Sequence, residues 1–358
     1  MMKNNYFHSI KIGNLDVAGN IFVAPLAGYT NLPTRLLYRK QGANVAYAEM
    51  VSAEGLNYNF GKSVKLIDTC DEDKLLGVQL FGFNAERFRC AFEKIKTESF
   101  DIIDINCGCS VKKIVKNNSG AALLKSPDEI FRTIKNLKEL TDKPVTLKIR
   151  SGWDLQSINY LEVYDAAEKA GASLITLHPR TKSMLFSGKA DWQHIKTLKQ
   201  HSKIPVIGNG DIFTADDAVR MFEETGCDGI MLARGIIENP FLIEEIIAKL
   251  TGTVYIPKTP EEKLAAAVEH CRNLENYMQN PERAMIEFRK FFHGYVKGLP
   301  GVSNLRIAVN SIMSCDELEK TIDLYKRKNF AKKLIYFQLK KTKFLDTTTC
   351  HDYNKQVF

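Results

Sequence analysis

The sequence predicts an α/β protein: a (β/α)8 TIM barrel followed by a C-terminal all-α helical bundle. Three observations predict it. Eight short apolar runs alternate with amphipathic stretches between residues 21 and 250, the repeat count of such a barrel. Residues 251–262, TGTVYIPKTPEE, then carry two prolines and no apolar period, as a linker does. From Lys263 onward the periodicity is helical alone. An open doubly wound sheet is the competing arrangement, and it seldom needs eight evenly spaced repeats. The expected division is a catalytic barrel over residues 1–252, a helical domain over 259–345 and a frayed polar tail over 346–358.

Taken in order, KIGNLDVAGN (11–20) reads as a hairpin ahead of the barrel, turning at Gly13-Asn14. The first four strands are IFVAP (21–25), VAYAEMV (45–51), LLGVQLFG (75–82) and FDIIDINCG (100–108). The last four are PVTLKIRSG (144–152), SLITLHPR (173–180), IPVIGNGD (204–211) and CDGIMLARG (227–235). Apolar runs of this kind, bounded by glycine or proline, are what strands covered on both faces look like. Helices are expected at 84–96, 127–140, 160–172, 215–226 and 239–250. Several open with proline or an acidic residue and close at glycine, as helix ends should. In the C-terminal part the helical stretches begin at Lys263, Glu282, Ser303 and Glu317.

Composition narrows the class. Hydrophobic residues make up 44% of the chain, enough for a sizeable core, and no run approaches the ~18 apolar residues of a membrane span. The N-terminus lacks the apolar core of a signal peptide, so a cytoplasmic protein without membrane contact is expected. Eight cysteines are scattered without a CxxC pair, which argues against a disulfide framework or a zinc ribbon and suits a reducing compartment. Cys107 and Cys109 form half of a metal motif that nothing completes, so no metal is expected. The net charge of +8 is uneven: residues 253–358 hold 18 Lys+Arg against 12 Asp+Glu, the rest 32 against 30. An acidic partner for the C-terminal third is the natural inference, and nucleic acid is the commonest one.

Barrel enzymes build their sites at the C-terminal ends of the strands, so polar residues are collected there. Strand 1 ends in small residues and proline, Ala24-Pro25-Leu26-Ala27-Gly28, against which a flat ligand can lie. Gln79 follows on strand 3, and Asn106 and Cys109 close strand 4. Cys109 stands beside Lys112, Lys113 and Lys116, a setting in which a thiol has chemistry available. Lys148 lies inside a buried run, where its charge needs an anion or a hydrogen-bonding ligand. His178 and Arg180 end strand 6, Asn209-Gly210-Asp211 strand 7 and Ala233-Arg234-Gly235 strand 8. Glycines at the last two positions stand where barrels bind phosphate.

With those residues in place, the chain resembles the tRNA-dihydrouridine synthases, in particular the bacterial B-type-like branch. The matching stretches run in order: APLAGYTNLPTR (24–35), GVQLFG (77–82), DINCGC (104–109), KIRSGW (148–153), SGKADW (187–192), VIGNGDI (206–212) and ARG (233–235). RKFFHGYVKGLPG (289–301) resembles the family's helical RNA-binding segment. The resemblance implies FMN held by Pro25, Leu26, Ala27, Gln79, Lys148 and His178, with Asn209, Gly210, Asp211, Ala233 and Arg234 around its phosphate end. It implies NADPH or NADH as reductant, Cys109 as the proton donor and tRNA as the partner. Asn106 and Arg180 are the expected uracil contacts; Lys112, Lys113, Arg289, Lys290 and Arg306 are the expected RNA contacts. A monomer is the expectation. Ser110 stands where the family usually has proline, and Pro179 where it usually has glycine. The alternatives are a free-pyrimidine flavoenzyme of the dihydroorotate dehydrogenase kind, which has no basic helical extension, and a non-catalytic RNA-binding protein.

Overall fold

The computed structural model describes residues 6–345, with side chains through Phe330; the expected tail at 346–358 lies outside the described residues. The chain forms two compact units, Met1–Pro257 and Lys258–Phe358, divided inside the segment that lacks an apolar period. In the first unit a hairpin of β1 (Ile10–Ile12) and β2 (Leu15–Val17) pairs antiparallel, with Gly13 at the turn in the left-handed region, φ +58°. The barrel follows: β3 (Ile21–Val23), β4 (Val45–Tyr47), β5 (Val51–Ser52), β6 (Leu76–Phe81), β7 (Ile102–Cys107), β8 (Val145–Arg150), β9 (Leu174–His178), β10 (Val206–Asn209) and β11 (Gly229–Leu232). All pairings among them are parallel. The ring closes because β11 pairs with β3 and β4 pairs with β6, while the short β5 runs beside the end of β6. Every strand of the ring falls within one of the eight apolar runs.

Two barrel helices, Leu32–Lys40 and Trp192–His201, lie outside the helical stretches read from the sequence. Both have a weak apolar signal for a physical reason. The first buries Thr34, Arg35 and Tyr38 rather than aliphatic residues, and the second buries only Ile195 and Leu198. The core has two layers. One lies between the strands and the surrounding helices. The other fills one end of the barrel, where Ile10, Ile12 and Val17 of the hairpin pack on Phe22, Tyr47 and Ile207. The hairpin therefore stoppers that end. Toward the opposite end the inward positions turn polar: Gln79, Asp104, Thr146, Lys148, Thr176 and Asn209.

The second unit consists of helices Pro260–Met278, Pro281–Val296, Val302–Val309 and Cys315–Leu345. Thr259 opens the first with a capping box to Glu262. Leu264, Leu274, Phe288, Phe292 and Tyr295 are buried within this unit. Cys271 and Cys315 form a disulfide there, 44 residues apart. This corrects the expectation of unpaired cysteines: the two are brought together by helix packing, which leaves no spacing motif in the sequence. Because the bridge restricts the unfolded chain, replacing Cys271 with serine should lower the stability of the helical unit by about 2–4 kcal/mol. Urea titration of the full chain, with and without reductant, reads the change; identical curves would count against a formed bridge.

Candidate active site

One cavity opens at the C-terminal ends of the strands. Its wall includes Ala24, Pro25 and Leu26 after β3, Gln79 on β6, Asn106 and Cys109 from β7, and Lys148 and Arg150 on β8. His178, Asn209, Gly210, Asp211, Ala233 and Arg234 complete the far side. The loop after β3 is tied down from behind. Leu26 N–H donates to Thr30 Oγ1 at 3.0 Å, and Gly28 N–H donates to the Glu49 carboxylate. The fully buried Arg35 donates to Thr30 O at 2.7 Å and pairs with Asp73 at 2.8 Å. Ala27 sits on the exposed tip of this loop, outside the cavity wall. The Tyr29 N–H to Leu26 O turn carries Ala27 to that tip.

Lys148 is the decisive group. Half-buried at the cavity wall, its Nζ donates to Asn209 Oδ1 at 2.9 Å, and that amide is itself fixed by donating Nδ2 to Met231 O. Burial, reinforced by Arg150 and opposed by Asp104, lowers the ammonium to about 7. A desolvated cation met by one neutral oxygen is under-satisfied unless a ligand supplies an acceptor. His178 is pushed well below its ordinary range by burial and by four surrounding cations, so it is neutral at pH 7. Arg180 Nη1 lies 3.3 Å from His178 Nε2, and a guanidinium can only donate, so Nε2 is the acceptor and Nδ1 carries the proton.

Of the two thiols after β7, only Cys109 lines the cavity. Cys107 faces the apolar core and burial pushes it far up. Burial also raises Cys109, against the opposing pull of the Val111 N–H, Arg150 and Lys148. Its backbone N–H donates to Asn106 Oδ1 at 2.8 Å. Lys112 and Lys113 begin the short exposed helix Lys112–Lys116 and are not among the charges that act on the sulfur.

Arg150 and Arg180 are braces. Arg150 donates to Gly108 O at 2.9 Å and to Thr181 O and Leu185 O at 2.8 Å, joining the cysteine loop to the loop after β9. Arg180 forms a double ion pair with Asp211 at 2.8 and 2.7 Å, and donates to Ser187 O and Gly188 O. It is buried and its donors are engaged within the protein, so in this structure it positions the loop. Burial tends to raise Asp211, but Arg180, the Ala190 N–H and Arg234 outweigh it and hold the carboxyl low. Gly210 takes φ +113°, and a Cβ there would lie 2.8 Å from the His178 ring, so only glycine lets the chain pass so near the cavity. At Gly235 a Cβ would meet Ile212 O at 2.2 Å. Met50, Arg150, Phe186 and Phe213 line the cavity but were not among the expected site residues. Phe186 and Phe213 sit on the Arg234 guanidinium, at 4.7 and 5.5 Å, and exposed loop aromatics give no periodic signal in a sequence.

In the helical unit Arg289 donates to Val309 O at 3.2 Å and Ile312 O at 2.6 Å. Half-buried, it holds the carbonyl end of helix Val302–Val309. Lys290 pairs with Glu287, and Arg306 lies on that same short helix. Among the described residues no group of three or more His, Cys, Asp or Glu could hold a metal ion. No described helix is long and apolar enough to cross a membrane.

Comparison with known proteins places this arrangement. The family described as dihydrouridine synthase (Dus) matches residues 22–332. A Synechocystis protein described as a probable tRNA-dihydrouridine synthase 1 is 35% identical over 316 residues, covering 88% of each chain. The tRNA-dihydrouridine synthase B of Vibrio vulnificus is 34% identical over 304 residues, 85% of this chain and 94% of that one. Among solved structures, histamine dehydrogenase from Rhizobium sp. 4-9 superposes with a TM-score of 0.52 at 16% identity, over 76% of this chain and 51% of that one. The old yellow enzyme from Trypanosoma cruzi gives 0.51 at 13% identity, over 73% and 96%. The two solved structures share the barrel fold; the sequence relatives and the family match go further, and on them the chain belongs to the dihydrouridine synthase family.

Proposed function

We propose that the protein reduces uridines of tRNA to 5,6-dihydrouridine, with FMN as its bound cofactor, NADPH or NADH as reductant and Cys109 as proton donor. The observation that carries this reading is a protonated thiol and an under-satisfied, half-buried lysine lining one cavity, in a chain of this family. The residues fit a flavin. Pro25 and Leu26 offer a flat, low wall that Gln79 continues, and Lys148 offers an N–H group toward a ring edge. Gly210 and Gly235 line the cavity beside Arg234, where the phosphate end is proposed to lie. When bound, FMN supplies the hydride that carbon 6 of the uracil receives.

Cys109 gives a proton to carbon 5. Burial keeps the sulfur protonated at neutral pH, as a donor must be. The uridine has to leave its stack to reach the thiol, which costs a few kcal/mol and least in an irregular loop. Lys112, Lys113, Lys290 and Arg306 are proposed to meet RNA phosphate. The helical unit, with the excess of positive charge in residues 253–358, is proposed as the tRNA-binding domain. The protein is further proposed to act as a cytoplasmic monomer without a metal.

Mapping dihydrouridine by mass spectrometry on RNA from cells lacking the protein tests the reading. The expected result is loss of the modification at specific tRNA positions, restored by the intact gene. Unchanged tRNA, with a changed pool of free dihydropyrimidines, would favour the small-substrate alternative instead.

Lys148 gives a second test. Its folded pKa lies below its unfolded value, so between about pH 7 and 10.5 the unfolded chain binds the extra proton and stability of the ligand-free protein rises with pH. A ring-edge acceptor bound against Lys148 favours its charged form by hydrogen bonding. Binding of FMN at pH 8 is therefore expected to take up about one proton. Calorimetry in buffers of different ionisation heat reads the uptake, which Lys148→Met should abolish.

A further inference from the structure

Three polar side chains lie side by side where barrel interiors ordinarily hold branched apolar ones. The register pairs Gln79 with Asp104 and Asp104 with Thr146 across β6, β7 and β8. Asp104 is 2% exposed and accepts from Thr146 Oγ1 and from Gln79 Nε2, both at 2.6 Å. One step nearer the cavity, Gln79 Oε1 accepts from Asn106 Nδ2 at 2.6 Å. Asn106 Oδ1 in turn accepts from the backbone N–H of Gly108 at 3.1 Å and of Cys109 at 2.8 Å. The bonds form one directed chain from the barrel interior to the cysteine loop.

Its direction has a single chemical origin. An ionised carboxylate can only accept, whereas an amide can face either way. Burial raises Asp104 to about 6, with Thr146, Gln79 and Lys148 opposing, and both groups that meet it, Thr146 Oγ1–H and Gln79 Nε2–H, are donors, as an acceptor-only carboxylate requires. It must therefore draw an N–H from Gln79. That turns the Gln79 carbonyl toward Asn106, and the Asn106 carbonyl toward the loop. With an amide at position 104 the order is lost. Asparagine there can offer its own N–H to Gln79, both amides can reverse, and Asn106 then faces the N–H groups of Gly108 and Cys109 donor to donor.

We propose that Asp104 is a positioning residue for the reaction: through Gln79 and Asn106 it sets which way two amides point and so holds the Cys109 loop against the cavity. The catalytic consequence rests on Cys109 being the proton donor; the restraint on the loop does not. Two readouts separate them.

The first is alkylation of Cys109 by iodoacetamide, followed by mass spectrometry on the full-length protein without RNA or reductant. Asp104→Asn is expected to raise the rate about tenfold, the gain in thiolate for one unit of relief from burial. The reciprocal variant, Asp104→Asn with Asn106→Asp, puts an acceptor-only group directly under the loop and is expected to return the rate to that of the wild type. An unchanged rate in the single variant, or no recovery in the reciprocal one, overturns the proposal. If the single variant does not fold, a folded reciprocal variant with the wild-type rate still supports it, and failure of both overturns it.

The second readout is single-turnover reduction of tRNA by the pre-reduced holoenzyme. Asp104→Asn is expected to slow it by roughly 10²-fold, the penalty for a small misplacement of a reacting group. In a Cys109→Ala background it should add nothing. An equal further loss in that background overturns the positioning role. Normal turnover by Cys109→Ala alone would instead remove the donor assignment and leave the alkylation result standing.

Discussion

Cys109→Ala is expected to cut dihydrouridine formation by about 10²–10⁴-fold, the usual contribution of a positioned general acid, while flavin content and tRNA affinity stay close to wild type. The separation follows from where the thiol stands. It lines the cavity and meets only the Val111 N–H of its own loop, while the loop is held by Asn106 Oδ1 through the backbone N–H groups of Gly108 and Cys109, and by Arg150 through Gly108 O. Removing the sulfur therefore leaves the loop's restraints in place. Cys107→Ala serves as the comparison, because that thiol is sealed in the core and should affect stability rather than turnover. Turnover of Cys109→Ala within a factor of about three of wild type would reject the donor assignment, since that is under 1 kcal/mol of barrier. Raising the pH should also slow the enzyme, because the donor is lost as Cys109 ionises, and burial moves that loss to higher pH than for an ordinary thiol.

The largest expected effect on stability is at Arg35. Arg35→Ala should cost about 3–5 kcal/mol, because it strips a partner from a carboxylate that cannot reach water. The Arg35 and Asp73 side chains are both 0% exposed. The guanidinium also satisfies Thr30 O and Asp68 O, and both carbonyls would be left short of a donor. Arg39, the second cation on Asp73, tempers the loss without replacing those bonds. Arg35→Lys keeps the charge but not the planar fork, so it should recover only part of the stability. Chemical denaturation of the three proteins measures this, and a shift of less than 1 kcal/mol for Arg35→Ala would contradict the assignment. The same change should loosen the 26–30 loop, so flavin retention is expected to fall with it.

The barrel was legible because its strands are covered on both faces and read as unbroken apolar runs between glycines. Leu32–Lys40 was not, because that helix faces the barrel with Thr34, Arg35 and Tyr38, and a buried arginine looks like a surface one until its partner is seen. The same blindness explains Arg180 and Arg289. A sequence shows that a residue is charged, not that Asp211 or a helix-end carbonyl already occupies it. Lys148 and Cys109 could be picked out because each breaks a pattern: a cation inside a strand, a thiol just past one. Asp104 breaks the same kind of pattern within FDIIDINCG, yet its importance lies in Gln79 and Thr146 on neighbouring strands, and register is not written in either stretch. The Cys271–Cys315 bridge is hidden likewise, by 44 intervening residues.

The stopper formed by β1 and β2 bears on kinetics. With that end plugged by Ile10, Ile12 and Val17, the nicotinamide proposed as reductant and the nucleobase would share one doorway. Each visitor must depart before the other arrives, so initial-rate plots against one at fixed levels of the other should run parallel instead of converging.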